Sequence, residues 1–179
     1  MRSSPLIIAA VFAFATASAE VTSSADNGFA TVNEVVIDAS VDAVWRAATQ
    51  EVGTWWHPSH TISGDAGRMT IDARPQGCFC ETLGDGEGIV HLTVTFAKPP
   101  GLLRMTGGLG PLGLMGVNGN LLWEFEAQGD GTRVRFSYTV GGYSPDGLDA
   151  IAPAVDFVIG EALQRLASYV ETGKPVADE

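Results

Sequence analysis

The chain has 179 residues, a formal net charge of −11 and 45% hydrophobic residues. That length suits one domain with a true core, and such acidity excludes nucleic acid and anionic membrane surfaces as natural partners. Acidity bears on solubility and not on fold.

The first residues, MRSSPLIIAAVFAFATASAE, combine a positive start at Arg2, a short apolar run and a small-x-small triplet, Ala17-Ser18-Ala19. This is the pattern of a secretory signal peptide over residues 1–19, too short for an ordinary membrane-spanning helix. Export to a periplasmic or extracellular space is therefore expected. No integral membrane segment is expected after its removal, because no later apolar run is long enough. Residues 20–31 are small and polar and read as a flexible tail.

A strand is predicted over residues 32–39, centred on Val35, Val36 and Ile37. Ser40 is a good helix cap and Asp42 suits the first turn, so Val41, Val44, Trp45 and Ala48 form a short amphipathic helix. The cluster Trp55-Trp56-His57-Pro58 follows as a loop. Short strands are then predicted over 61–63, 68–73 and 78–82, and Asp85-Gly86 is a hairpin turn. Residues 89–97 (IVHLTVTFA) alternate and are β-branched, the pattern of a strand. After the turn Pro99-Pro100-Gly101 comes a strand over 102–106. Residues 107–119 (GGLGPLGLMGVNG) carry too much glycine for helix or strand and read as an apolar loop, either a mobile flap over one end of a cavity or simply a floppy connection. Strands over 120–127 and 132–140 follow. The second puts Val134, Phe136, Tyr138 and Val140 on one face, and Glu124 and Glu126 lie opposite Trp123 and Phe125 on the first.

Residues 148–173 close the order with a long helix. Its apolar residues Leu148, Ile151, Ala152, Val155, Ile159, Ala162, Leu163, Leu166 and Val170 recur at three-and-four spacing. Asp156, Gln164 and Arg165 fall mostly on the other side. Pro153 suits the first turn, and Gly173 before Lys174-Pro175 is a stop. Consecutive strands followed by one long helix imply an α+β fold: a curved antiparallel sheet of six to seven strands wrapped around the C-terminal helix. Residues 174–179 are a tail.

Several short motifs resemble one family. Val36-Ile37-Asp38-Ala39-Ser40-Val41-Asp42-Ala43-Val44-Trp45 looks like its first strand and helix. Gln76-Gly77-Cys78-Phe79 stands where it tends to have a Gly-Gly-x-Phe turn. Pro99-Pro100-Gly101-Leu102-Leu103-Arg104, Gly131-Thr132-Arg133-Val134 and Leu163-Gln164-Arg165-Leu166 complete the likeness. Over residues 32–173 the chain resembles the SRPBCC superfamily, the helix-grip fold of lipid-transfer START domains and birch-pollen-allergen-like proteins. Within it, the chain is most similar to homologues of the heat-shock-protein-90 ATPase activator domain. The resemblance implies an apolar cavity between sheet and helix. A secreted protein would not meet a cytosolic chaperone, so the activator role is set aside.

The expected cavity walls are Trp45, Trp55, Trp56, Phe79, Leu92, Phe96, Met105, Trp123, Phe136, Tyr138, Ile159 and Leu163, with His57 at the rim. His57-x-x-His60 invites a metal reading, because neutral imidazoles bind zinc or copper. A third ligand would have to be Cys78, Cys80 or His91, and Pro58 argues against a helix that would align the two histidines. No metal or cofactor is therefore expected, and the histidines read as polar tips of an aromatic rim. In a strand, Cys78 and Cys80 would lie about 6.6 Å apart. A disulfide would need a bulge, so two small thiols on one face are expected.

Three functions fit. The first is a binding protein for a small hydrophobic or amphipathic ligand, without catalysis. The second is a cyclase- or hydratase-type enzyme using a cavity His, Tyr or acid. The third is an interaction domain whose core is filled by its own side chains.

Overall fold

The computed structural model describes residues 18–177. Residues 1–17 of the expected leader and the last two residues of the C-terminal tail lie outside the described residues.

Eight strands form one antiparallel sheet in the order β1-β2-β8-β7-β6-β5-β4-β3. They are β1 (Ser18–Ala25), β2 (Gly28–Ile37), β3 (Met69–Ile71), β4 (Cys78–Gly84), β5 (Glu87–Lys98), β6 (Leu102–Gly107), β7 (Gly116–Gln128) and β8 (Gly131–Tyr143). Between β2 and β3 come α1 (Val41–Gln50), α2 (Val52–Trp55) and two 3-10 turns, and α3 (Ala152–Thr172) ends the fold. The helix-grip architecture stands, with one strand more than expected.

The extra strand corrects the flexible tail of residues 20–31. Ala25 pairs with Gly28 across a two-residue turn, Asp26-Asn27, and β1 runs along β2 at the sheet edge. The Asn27 carbonyl accepts from Gly142 N–H and the Asp26 carbonyl from Leu148 N–H, which ties the hairpin tip down. Alternation does not announce this strand, because apart from Val21 its residues are small or polar and run along a sheet edge, where polarity blunts aggregation. The glycine-rich stretch is also corrected. β6 reaches Gly107, a 3-10 turn spans Gly110–Leu114, and Gly116 already opens β7. Gly119 belongs in that strand because a Cβ there would meet the Tyr138 ring at 2.6 Å.

Elsewhere the pattern and the fold agree. Ser40 caps α1, its hydroxyl accepting from Ala43 N–H. Val134, Phe136, Tyr138 and Val140 are all buried, and Glu124 and Glu126 pair outward with Arg135 and Arg133. Pro153 sits in the first turn of α3, and Gly173 ends it at φ 76°. No helix among the described residues is long and apolar enough to cross a membrane.

α3 packs chiefly on β1, β2, α1 and α2. It therefore lies over one side of the sheet. The remaining concave surface is closed by side chains of α1, α2 and the central strands.

Two bulges in β5 decide which of its side chains point inward. The register on β4 shifts between Phe79 and Cys80, where Phe79 faces Leu92 and Cys80 faces Val90. His91 is the extra residue, so His91 and Leu92 both turn to the core. The same irregularity corrects the expected pair of thiols: Cys78 and Cys80 are joined in a disulfide, their Cα atoms 5.4 Å apart. A second shift lies between Val94 and Phe96 on the β6 side. It sends Phe96 to the outer face, 42% exposed, with the Arg104 guanidinium 5.9 Å from its ring centroid. Phe96 is thus no wall residue.

Candidate functional site: a groove along the C-terminal helix

The residues expected to line a cavity pack instead on one another. Trp123 stacks on Phe136 with centroids 4.4 Å apart. Trp55 lies 5.7 Å from Trp56 and 6.2 Å from Trp123. Trp56 meets Phe79 edge-on at 5.1 Å, and Trp45 meets Phe125 at 5.4 Å. Leu92, Met105 and Ile159 are buried in the same cluster. Such edge and offset contacts contribute about 0.5–1.5 kcal/mol each beyond the area they bury. The aromatic run that reads as a ligand wall is a packed core, and of the expected wall residues Leu163 alone borders the groove described below.

The ionisable groups inside are engaged as well. The Tyr138 hydroxyl donates to the Gly107 carbonyl at 2.8 Å and accepts from Leu109 N–H at 3.1 Å. Burial pushes its pKa up to about 12. It braces the glycine-rich connection and holds its proton. Glu81 is 1% exposed and accepts from Ile62 N–H at 3.0 Å, Ser63 N–H at 2.5 Å and His91 Nε2 at 3.0 Å. Burial opposes its charge, but the bonds from Ser63, Ile62 and His91 outweigh that penalty and hold its pKa at about 2. A carboxylate so weakly basic is a poor general base. Its task is to fasten the loop between α2 and β3.

A groove of about 350 Å³ runs beside α3. Its walls include Phe157, Leu163 and Val176, with Asn33 on the sheet side and Glu161 at one margin. Phe157 and Val176 are 64% and 49% exposed, large apolar side chains left facing solvent. The groove forms because Arg165 draws the C-terminal segment against the helix. Its Nη1 donates to the Val176 carbonyl at 2.8 Å, and its Nε to the Trp55 carbonyl at 2.9 Å. Arg165 is 5% exposed and not on the solvent side as its spacing implied.

Asn33 is the polar feature of this groove. It stands on the concave face of β2, opposite Phe136 of β8, and is 1% exposed. Its Nδ2 donates to Asp156 Oδ1 at 2.9 Å, which fixes the amide orientation. Its Oδ1 is buried and accepts no hydrogen bond. Among the described residues, Thr31 Oγ1 and Trp123 Nε1 share that condition. Each such atom costs about 1–3 kcal/mol. Asn33 is the one that borders the groove. Nothing in the periodicity of β2 announced it, although an Asn among Val35, Ile37 and Phe29 on one strand face is a signal of that kind.

At the groove margin His60 Nε2 lies 2.7 Å from Glu161 Oε2. His57 and His60 sit side by side, ring centroids 5.3 Å apart. Pro58 does not separate them, contrary to expectation. It occupies the first position of a 3-10 turn, Pro58–His60, where residues three apart eclipse.

The family match now has a fold and a site beside it. Residues 29–171 match the family described as polyketide cyclase / dehydrase and lipid transport. The chain belongs to that family. Solved structures agree on the fold of this polyketide cyclase and lipid transport relative. An uncharacterized protein from Rhizobium leguminosarum is 22% identical over 87% of this chain and 98% of its own, with a TM-score of 0.58. A conserved protein of unknown function from Enterococcus faecalis is 14% identical over 89% and 80%, with a TM-score of 0.59. DynU16, from the dynemicin biosynthetic locus, is 21% identical over 84% of this chain and 49% of its own, with a TM-score of 0.55. No curated protein matches the chain.

Proposed function

We propose that the protein is an exported carrier of a small neutral amphiphile, bound in the groove beside α3. The observation that carries this reading is the buried, unpaired Oδ1 of Asn33, a residue that borders an otherwise largely apolar groove. A ligand hydroxyl or amide N–H satisfies that acceptor once a small side-chain shift opens it to the groove, while an alkyl chain covers Phe157, Leu163 and Val176. The volume falls at the small end of ligand sites. The chain's net charge of −11 and Glu161 at the margin favour a neutral ligand over a fatty-acid anion.

Export rests on the leader-like N-terminus and on the Cys78–Cys80 disulfide, which suits an oxidising compartment. Cleavage after Ala19 leaves most of β1 in place. The family's lipid-transport description supports carriage. The cyclase reading has less support, because Tyr138 and Glu81 are each committed to holding a loop.

The test compares 1-decanol with its methyl ether by calorimetric titration. The wild type is expected to bind the alcohol roughly tenfold more tightly, the worth of one satisfied buried acceptor. Asn33→Leu is expected to bind both alike. Equal affinity of the wild type for the two compounds would remove the role of Asn33.

A further inference from the structure

His57, His60 and Glu161 each offer one donor atom, and the three atoms lie within 4.8 Å of one another. From this convergence we propose that they form a binding site for a divalent transition-metal ion, with zinc the best match. The donor set is two imidazoles and one carboxylate, which suits that ion and leaves a fourth coordination position open. Two donors at about 2.0–2.1 Å from a tetrahedral ion lie roughly 3.3 Å apart. The His60–Glu161 separation of 2.7 Å opens slightly to admit the ion, and the third donor closes by a small side-chain movement.

The backbone already holds this arrangement. His60 N–H donates to the His57 carbonyl and Thr61 N–H to the Pro58 carbonyl, which closes the 3-10 turn and aligns the rings. Trp56 Nε1 donates to the His60 carbonyl at 3.1 Å and pins the turn to the core. Glu161 comes from α3, 101 positions away in sequence, so the ligands stand on two elements docked by other contacts. His57 Nδ1 accepts from Ser59 N–H at 3.1 Å and lies 2.6 Å from Ser59 Oγ; to hold an ion at Nε2 the ring takes its proton at Nδ1 and donates it to Ser59 Oγ. The His60 and Glu161 side chains are 24% and 28% exposed, open enough for an ion to enter. The sequence alone offers only cysteine or His91 as third ligand, but the cysteines are bonded to each other and His91 is bonded to Glu81. The site does not depend on the groove's having a ligand.

The experiment uses full-length, tag-free protein stripped with a chelator and titrated with zinc chloride at pH 7.5 and pH 5.5. One equivalent is expected to bind at pH 7.5, with a dissociation constant in the micromolar range or below. Affinity is expected to fall at least tenfold at pH 5.5, because the imidazoles bind only when neutral. His57→Gln, His60→Gln and Glu161→Gln should each weaken binding at least tenfold, while Glu126→Gln, on the far face of the sheet, should not. Circular dichroism confirms that each variant is folded. Cobalt(II) absorption of the wild type gives a readout free of any substitution: four- or five-coordinate bands support the site, and an octahedral aquo spectrum overturns it. Absence of saturable one-to-one zinc binding, or binding unchanged in the folded histidine variants, also overturns it.

Discussion

Replacing Glu81 by alanine is expected to lower folding stability by about 3–5 kcal/mol, because three donors lose their acceptor at about 1–3 kcal/mol each. The carboxylate is the common acceptor for Ile62 N–H, Ser63 N–H and the buried His91 Nε2. Its removal leaves His91, 6% exposed, and two loop amides without that acceptor. Glutamine is expected to fare little better, because its amide group aims a donor at a donor. The same residue governs the acid limb of stability. Its folded-state pKa, about 2, lies below the ordinary value of 4.5. A depressed carboxylate stabilises the fold fully above its unfolded value and loses that contribution as pH falls towards the folded one. Between about pH 4.5 and pH 2 the wild type should therefore lose on the order of 3 kcal/mol from this group. Urea unfolding at pH 7, 4 and 3 measures both effects. The alanine variant should be less stable at pH 7 and lose less on acidification. Parallel pH profiles for the two proteins would remove Glu81 as the cause.

Trp123→Ala is expected to cost about 3–5 kcal/mol, as large aromatic truncations in a packed core do. Trp123 is 1% exposed and touches Trp55, Phe79 and Phe136. The informative companion is Trp123→Phe. Indole Nε1 is buried without a partner, so the substitution removes a cost of about 1–3 kcal/mol together with some packed area. A net change within about 1 kcal/mol is expected, far from the alanine value. Were the interior an open ligand cavity, Trp123→Ala would instead be mild and would enlarge the bound ligand's range. Chemical unfolding of the two variants side by side separates these outcomes.

The contrast between fold and site follows from what periodicity encodes. The alternation over β8 places Val134, Phe136, Tyr138 and Val140 correctly, because one strand face must be buried and the other wet. The order of strands followed by one long amphipathic helix likewise fixes the architecture. The bulges in β5 are invisible to that reasoning. The extra residue at His91 turns both His91 and Leu92 inward, and the one near Thr95 reverses the face again, which is why Phe96 points outward although Leu92 and Val94 point in. The site depended on tertiary neighbours. Arg165 reads as a solvent residue by spacing, yet it is buried because two backbone carbonyls satisfy it. Glu161 becomes the partner of His60 only once α3 docks. Asn33 gains meaning only when Asp156 takes its Nδ2 and leaves Oδ1 buried without a partner.

The most direct measurement of the proposed carrier function is a titration of the protein with 1-decanol, followed through the side-chain amide resonances of Asn33. Saturable shifts centred on Asn33, Phe157 and Val176, with Trp55 and Trp123 indole resonances unmoved, are expected for a ligand in the groove beside α3. Shifts centred on the tryptophan cluster would place the ligand inside the core, and no saturable shift at all would contradict binding of a neutral amphiphile.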